Sequence, residues 1–181
     1  MKTILREIVD ASLGCLYFGS YHASFVLAAC AVEATAKARF PNESSSGRRV
    51  KDFLRENMSL MFRTVNLWVG VNMPEDKSSL PKDSDGHPDV PRVDDDFHRL
   101  KGEPRMVRME GVLYHAFRCA LSHEAKLEEV ELLPPVGNGL QIRVDEKVRL
   151  SADVVGRLLD AVIQAPENAR LFVNQSEAST E

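Results

Sequence analysis

Residues 11–32 read ASLGCLYFGSYHASFVLAACAV and contain no Asp, Glu, Lys or Arg. This stretch decides the fold. A helix that is apolar on nearly every face must be buried against several neighbours or in lipid. About 20 apolar residues suffice to span a bilayer. Here Ser12, Ser20, Tyr21, His22 and Ser24 interrupt the run. We therefore read it as the buried helix of a bundle or dimer, with no membrane span.

Outward from this run the helical pattern extends from Thr3 to about Phe40. Leu5, Ile8, Val9, Ser12, Leu13, Leu16 and Tyr17 recur at spacings of three and four. Pro41 and Asn42 stop it, and 44–47 is a Ser/Gly loop. A second helix is predicted from Arg48 to about Val69, with Val50, Phe53, Leu54, Met58, Met61, Phe62, Val65 and Trp68 as its apolar stripe. Its start carries Arg48, Arg49 and Lys51, where the helix dipole prefers acids. That trio reads either as solvated surface or as an anion-attracting patch.

Between Asn72 and Pro104 the character changes. Five of the nine prolines fall there, beside Asp83, Asp85, Asp89, Asp94, Asp95 and Asp96. A stretch this long without periodicity reads as an insertion, either disordered or a functional lid. Helical pattern returns from Arg105 to His123, through Met106, Met109, Val112, Leu113, Ala116, Phe117, Ala120 and Leu121. Beyond Ala125 the signal turns to strands. Val130 to Leu133 and Leu140 to Leu150 are predicted to pair across a turn at 134–139. Ser151 then caps a last helix that runs to about Gln164 and ends at Pro166.

The expectation is a mainly α chain: a helical bundle with a small C-terminal β-hairpin and a final helix. Residues 1–170 form one domain with an insertion at 72–104, and 171–181 is a polar tail.

The bulk numbers exclude some functions. Lys and Arg number 23 against 27 Asp and Glu, so the net charge is 23 − 27 = −4. A protein that coats nucleic acid by bulk charge would be basic, so any such role needs a local positive site. Cys15, Cys30 and Cys119 are three widely spaced cysteines with no close pair. They read as reduced thiols in a cytoplasmic protein, with no structural zinc expected. His98 beside Asp94, Asp95 and Asp96 has the donors for a divalent cation, but consecutive loop acids read better as solvated. No metal is expected, and no cofactor, since the phosphate-loop, dinucleotide and zinc-protease motifs are missing.

The segment richest in chemistry is Tyr114-His115-Ala116-Phe117-Arg118-Cys119-Ala120-Leu121-Ser122-His123-Glu124. Arg118 and His123 have four residues between them and lie at a predicted helix end. The segment resembles the HEPN signature, Arg, four to six residues, then His. The apolar first helix and the 48–54 stretch resemble that family's first two helices. The position after the signature Arg is Cys119, where active members commonly carry Asn, Asp or His. A thiol cannot supply the same strong hydrogen bond.

The resemblance implies a homodimer with a composite cleft and metal-independent cleavage of RNA, in a toxin–antitoxin or defence setting. It also implies a possible RNA substrate or an antitoxin or partner protein. In that scheme His123 serves as acid and base near neutral pH. Arg118 holds the phosphate as its charge builds. Ser122, Glu124, His115 and Tyr114 support them, and Arg99, Lys101, Arg105 and Arg108 steer RNA inward. The alternative is a HEPN-like module that binds RNA, a nucleotide or a partner without cleaving. Five residues along an ideal helix turn through about 500°. Arg118 and His123 therefore share a cleft only if the helix ends or distorts near Ser122.

Overall fold

The computed structural model describes residues 2–64, 67–74, 76–82, 84–85, 89–93, 103–121, 129–137, 141–145 and 147–172. Among them the chain is mainly helical, with seven α-helices and a six-stranded mixed sheet. No helix of the described residues is long and apolar enough to cross a membrane.

The long apolar run forms two helices, where the periodicity predicts one. α1 spans Lys2–Tyr17 and α2 spans Tyr21–Arg39. Gly19 adopts φ +74° between them. The Ser20 N–H reaches the Cys15 carbonyl at 2.8 Å and the Gly19 N–H reaches that of Leu16 at 3.1 Å. These are the paired bonds by which a left-handed glycine closes a helix C-terminus. The chain then doubles back, and α1 packs along α2.

Two of the serines that interrupt the apolar run meet at this contact. Ser12 Oγ donates to the Ser24 carbonyl at 2.8 Å, and Ser24 Oγ donates to the Ser12 carbonyl at 2.7 Å. Both residues are buried. Each hydroxyl is thus satisfied by the opposite helix, which removes the cost of burying it.

α2 is the centre of the molecule. Ser24, Phe25, Ala28, Ala29, Ala31, Val32, Thr35 and Ala36 are all buried. Its neighbours are α1, α3 (Ser46–Glu56), α5 (Met109–Leu121) and α6 (Asp153–Gln164). Alanines at these positions let several helices approach closely. Phe25 meets Phe117 of α5 at 5.4 Å between ring centroids. At the far end, Asn168 Nδ2 donates to Thr35 Oγ1 at 3.0 Å and to the Val162 carbonyl at 2.8 Å.

The second predicted helix also divides. α3 ends at Glu56 and α4 covers only Met58–Phe62, closed by Arg63 at φ 57°. Trp68–Val71 is a strand, β1. Its β-branched and aromatic residues favour that state. The helix expected from Arg105 begins at Met109, because Arg105–Arg108 is strand β3. It pairs antiparallel with β1, Trp68 opposite Arg108 and Val71 opposite Arg105. Strand pairing between segments far apart in sequence overrides the local helical period.

The strands thus extend well beyond the single hairpin expected. The sheet order is β2-β3-β1-β5-β6-β4, with β2 at Arg92–Val93, β4 at Val130–Leu133, β5 at Ile142–Val144 and β6 at Val148–Ser151. The hairpin is β5 with β6, whereas β4 lies parallel to β6. Part of the 72–104 segment is built into the fold, since β2 pairs with β3 and Leu80 is buried. Residues 94–102 lie outside the described residues. α6 begins one residue later than expected, with Ala152 rather than Ser151 at the cap position. α7 is Ala169–Phe172, so the first two residues of the expected tail, 171–172, are helical.

The β5–β6 turn is held by charge. Asp145 accepts from the Lys147 N–H at 3.2 Å, from the Arg149 guanidinium, and lies 3.0 Å from Arg143 Nε. Burial pushes the Asp145 carboxyl up, but the Lys147 N–H and the arginines outweigh it and hold it below the usual aspartate range. A lowered native pKa stabilises the fold above the unfolded value, and that contribution is lost as pH falls through the native one. Thermal melts should therefore show wild type losing stability relative to Asp145→Asn below about pH 4. Ser24→Ala should cost about 0.5–1.5 kcal/mol in urea unfolding, because its buried hydrogen bond to the Ser12 carbonyl is lost.

Candidate functional site

α5 starts immediately after β3 and lies between the sheet and α2 and α3. Glu110 in its first turn is buried and is paired with Arg55 Nε at 3.0 Å. An acid at that end suits the helix dipole. The rest of the helix presents an apolar stripe inward, with Met109, Val112, Leu113, Ala116 and Phe117 all buried. Arg118 is exposed.

Arg118 lines an open groove of about 310 Å³ between α2, α3 and α5. Ala29, Val50 and Phe117 form its apolar floor, while Glu33, Ser46, Tyr114 and Arg118 supply polar groups. Tyr114 and Arg118 share this face because they are four residues apart on one helix. Tyr114 fits because position 47 is glycine. A Cβ there would lie 2.4 Å from the Tyr114 hydroxyl and 2.7 Å from the ring carbon that bears it.

The start of α3 forms one side of the groove. Ser45 caps it, accepting from the Arg48 N–H at 3.3 Å, and Glu43 Oε1 accepts from the Ser45 N–H at 2.9 Å. The Ser45 N–H, with Arg48 beside it, holds the Glu43 carboxyl below its ordinary range although partial desolvation opposes this. Glu43 is thus the acid that the basic helix start lacked in sequence. Two of the four N–H groups at this terminus are taken in this way. Ser46 lines the groove with Arg118, at the positive end of the helix dipole, whereas Gly47 is buried against Tyr114.

The basic trio divides. Arg48 pairs with Glu43 at 3.4 Å, Arg49 donates to the Glu43 carbonyl, and Lys51 Nζ stands 5.9 Å from the Tyr114 ring centroid. Arg48 and Arg49 therefore hold the 41–45 loop, and Lys51 is the one that adds positive charge near Tyr114.

The residues expected to steer RNA do not gather here. Arg105 and Arg108 are on β3, and neither lines the groove. The Arg108 guanidinium lies over the Trp68 ring at 5.0 Å, with Arg92 also over that ring at 5.7 Å. Arg99 and Lys101 lie outside the described residues, as do Ser122, His123 and Glu124. So do His98 and Asp94, Asp95 and Asp96.

His115 does not line the groove. It is one residue on from Tyr114 and so about 100° further round the helix. There its Nε2 faces Cys119 Sγ at 3.5 Å and Glu129 Oε2 at 3.7 Å, and Cys119 Sγ is 3.4 Å from the same Glu129 oxygen. His-x-x-x-Cys is legible in the sequence as a pair on one helical face. Glu129 carries no such signal, because only the fold brings the start of β4 to α5.

The architecture is therefore an α+β domain with a polar groove along one helix. A family model described as Rv1289 matches residues 5–179, and the chain belongs to the Rv1289 family. No curated protein and no solved structure matches it.

Gly47→Ala should destabilise the protein by about 1–3 kcal/mol, the usual cost of overpacking. Arg118→Ala should change the urea midpoint little, since the side chain is exposed. Equilibrium unfolding of both variants checks the contrast.

Proposed function

We propose that this protein is a HEPN-like, metal-independent endoribonuclease that works as a homodimer, with the Arg118 groove receiving the scissile phosphodiester. The observation that carries the reading is the juxtaposition of Arg118 with the α3 N-terminus in one open groove. A guanidinium offers two parallel donors to a phosphate. The Ser46 N–H, at the helix N-terminus on the groove wall, offers one more from a fixed backbone. Tyr114 provides a ring on which a base can stack, with Lys51 above it.

In this scheme Arg118 stabilises the charge that builds on the phosphorane oxygens. His123 takes the proton from the ribose 2′-OH, and the leaving 5′-oxygen is protonated in turn. The product is a 2′,3′-cyclic phosphate. Glu124 or Ser122 is the residue assigned in this scheme to orient His123, and the partner subunit completes the cleft. Leu13, Tyr17 and Phe18 at the end of α1 are exposed, and a dimer contact there would cover apolar surface.

The groove's phosphate donors equally support a second reading, a module that holds RNA or a nucleotide, or a partner protein such as an antitoxin, without cleaving it. Cys119, next to Arg118, favours this alternative, because a thiol is a weak hydrogen-bond donor. The two readings part in one assay. Purified protein in EDTA is expected to cut single-stranded RNA to cyclic-phosphate ends. Arg118→Ala and His123→Ala should each lower the rate by about 100-fold or more. RNA binding that needs Arg118, with no cleavage by wild type, would establish the module. Cleavage unchanged in both variants would remove the ribonuclease proposal, and a monomer by light scattering would remove the composite cleft.

A further inference from the structure

His115, Cys119 and Glu129 each offer one ligand atom, and the three atoms lie within 4.8 Å of one another. We propose that these three residues form a zinc site with an open fourth position, on the face of α5 next to the groove. The proposal stands apart from the ribonuclease reading and needs neither Arg118 nor His123.

The geometry is that of a metal chelate. The same three atoms, His115 Nε2, Cys119 Sγ and Glu129 Oε2, make a triangle with edges of 3.5, 3.4 and 3.7 Å. Zinc bonds of about 2.0 Å to nitrogen and oxygen and about 2.3 Å to sulfur, at tetrahedral angles, put the ligand atoms about 3.3–3.6 Å apart. The triangle needs only tenths of an ångström of adjustment.

The chemistry of the donors selects the ion. Thiolate with imidazole and one carboxylate suits borderline-soft zinc rather than calcium or magnesium, which take oxygen. Spacing of four on α5 keeps His115 and Cys119 on one face. Glu129, immediately before β4, supplies the third ligand from a separate element, so the ion would tie the helix to the sheet. Cys119 is buried and the His115 side chain is 15% exposed, whereas that of Glu129 is 41% exposed. Solvent therefore reaches the site from the Glu129 side, where a water or an anionic ligand takes the fourth position. On binding, the Cys119 thiol proton passes to solvent, and neutral His115 ligates through Nε2.

The test uses the full chain, stripped with a chelator, dialysed, and titrated with zinc alone against a competing indicator. One zinc per chain is expected, with a rise in the midpoint of thermal unfolding. Cobalt(II) in its place should give a thiolate charge-transfer band that Cys119→Ser abolishes and Cys15→Ser retains. Glu129→Gln, at a part-exposed side chain, keeps the test valid should Cys119→Ser fold poorly. It should weaken zinc binding about tenfold or more. No zinc retained at micromolar concentration, a thiolate band that survives Cys119→Ser, or zinc affinity unchanged by Glu129→Gln would each overturn the assignment.

Discussion

The packing of several helices against the buried face of α2, Ser24, Phe25, Ala28, Ala29, Ala31, Val32, Thr35 and Ala36, is the constraint on which the rest of this structure depends. Four other helices use it as their common wall. That is feasible because the residues facing them are small: Ala28, Ala29, Ala31 and Ala36 are fully buried without holding the neighbours apart. Burying this face requires every polar atom on it to find a partner. Ser24 finds Ser12 on α1, and Thr35 finds Asn168 beyond α6 while its hydroxyl also bonds the Ala31 carbonyl at 2.8 Å. The two ends of the chain are thereby pinned to the same central rod.

α5 converts this packing into chemistry. Its inner face joins the core through Phe117 against Phe25. Its outer surface carries two different polar faces, separated by one residue step of about 100°. Tyr114 and Arg118 face the groove beside α3, while His115 and Cys119 face Glu129. An exposed guanidinium beside a helix N-terminus favours anions. A thiol, an imidazole and a carboxylate within 4.8 Å of one another favour a cation. The helix thus separates two opposite electrostatic environments with no intervening domain.

The apolar character of the first forty residues, the apolar stripe of 50–62 and the last helix up to Gln164 were legible from spacing alone. So was the exposed Arg118 near the end of a helix, and so was the Ser12/Ser24 polarity that spoke against a membrane span. The sheet was mostly not legible. β1 and β3 have only four residues each, too few for a period of two to stand out beside flanking helical patterns. Their partners lie far apart in sequence, Val71 opposite Arg105 and Trp68 opposite Arg108, so they pair only once the helices have brought them together. Lys51 near Tyr114 and Glu43 beneath the start of α3 were equally hidden, because each depends on a loop closing back.

What the sequence alone determined is the part governed by local periodicity and local backbone chemistry. It set that the first forty residues, 50–62, the segment ending near Leu121 and the segment ending at Gln164 are helical with apolar packing faces, and that Tyr114 shares a face with Arg118. What only the tertiary structure decided is which faces meet. It placed Arg118 beside the α3 N-terminus, set Arg108 over Trp68 instead of the groove, and carried Glu129 to within bonding range of a cysteine ten residues earlier. The reason is physical. Periodicity constrains residues three or four apart on one element, whereas a site is assembled from elements whose approach is settled by packing around the buried rod of α2.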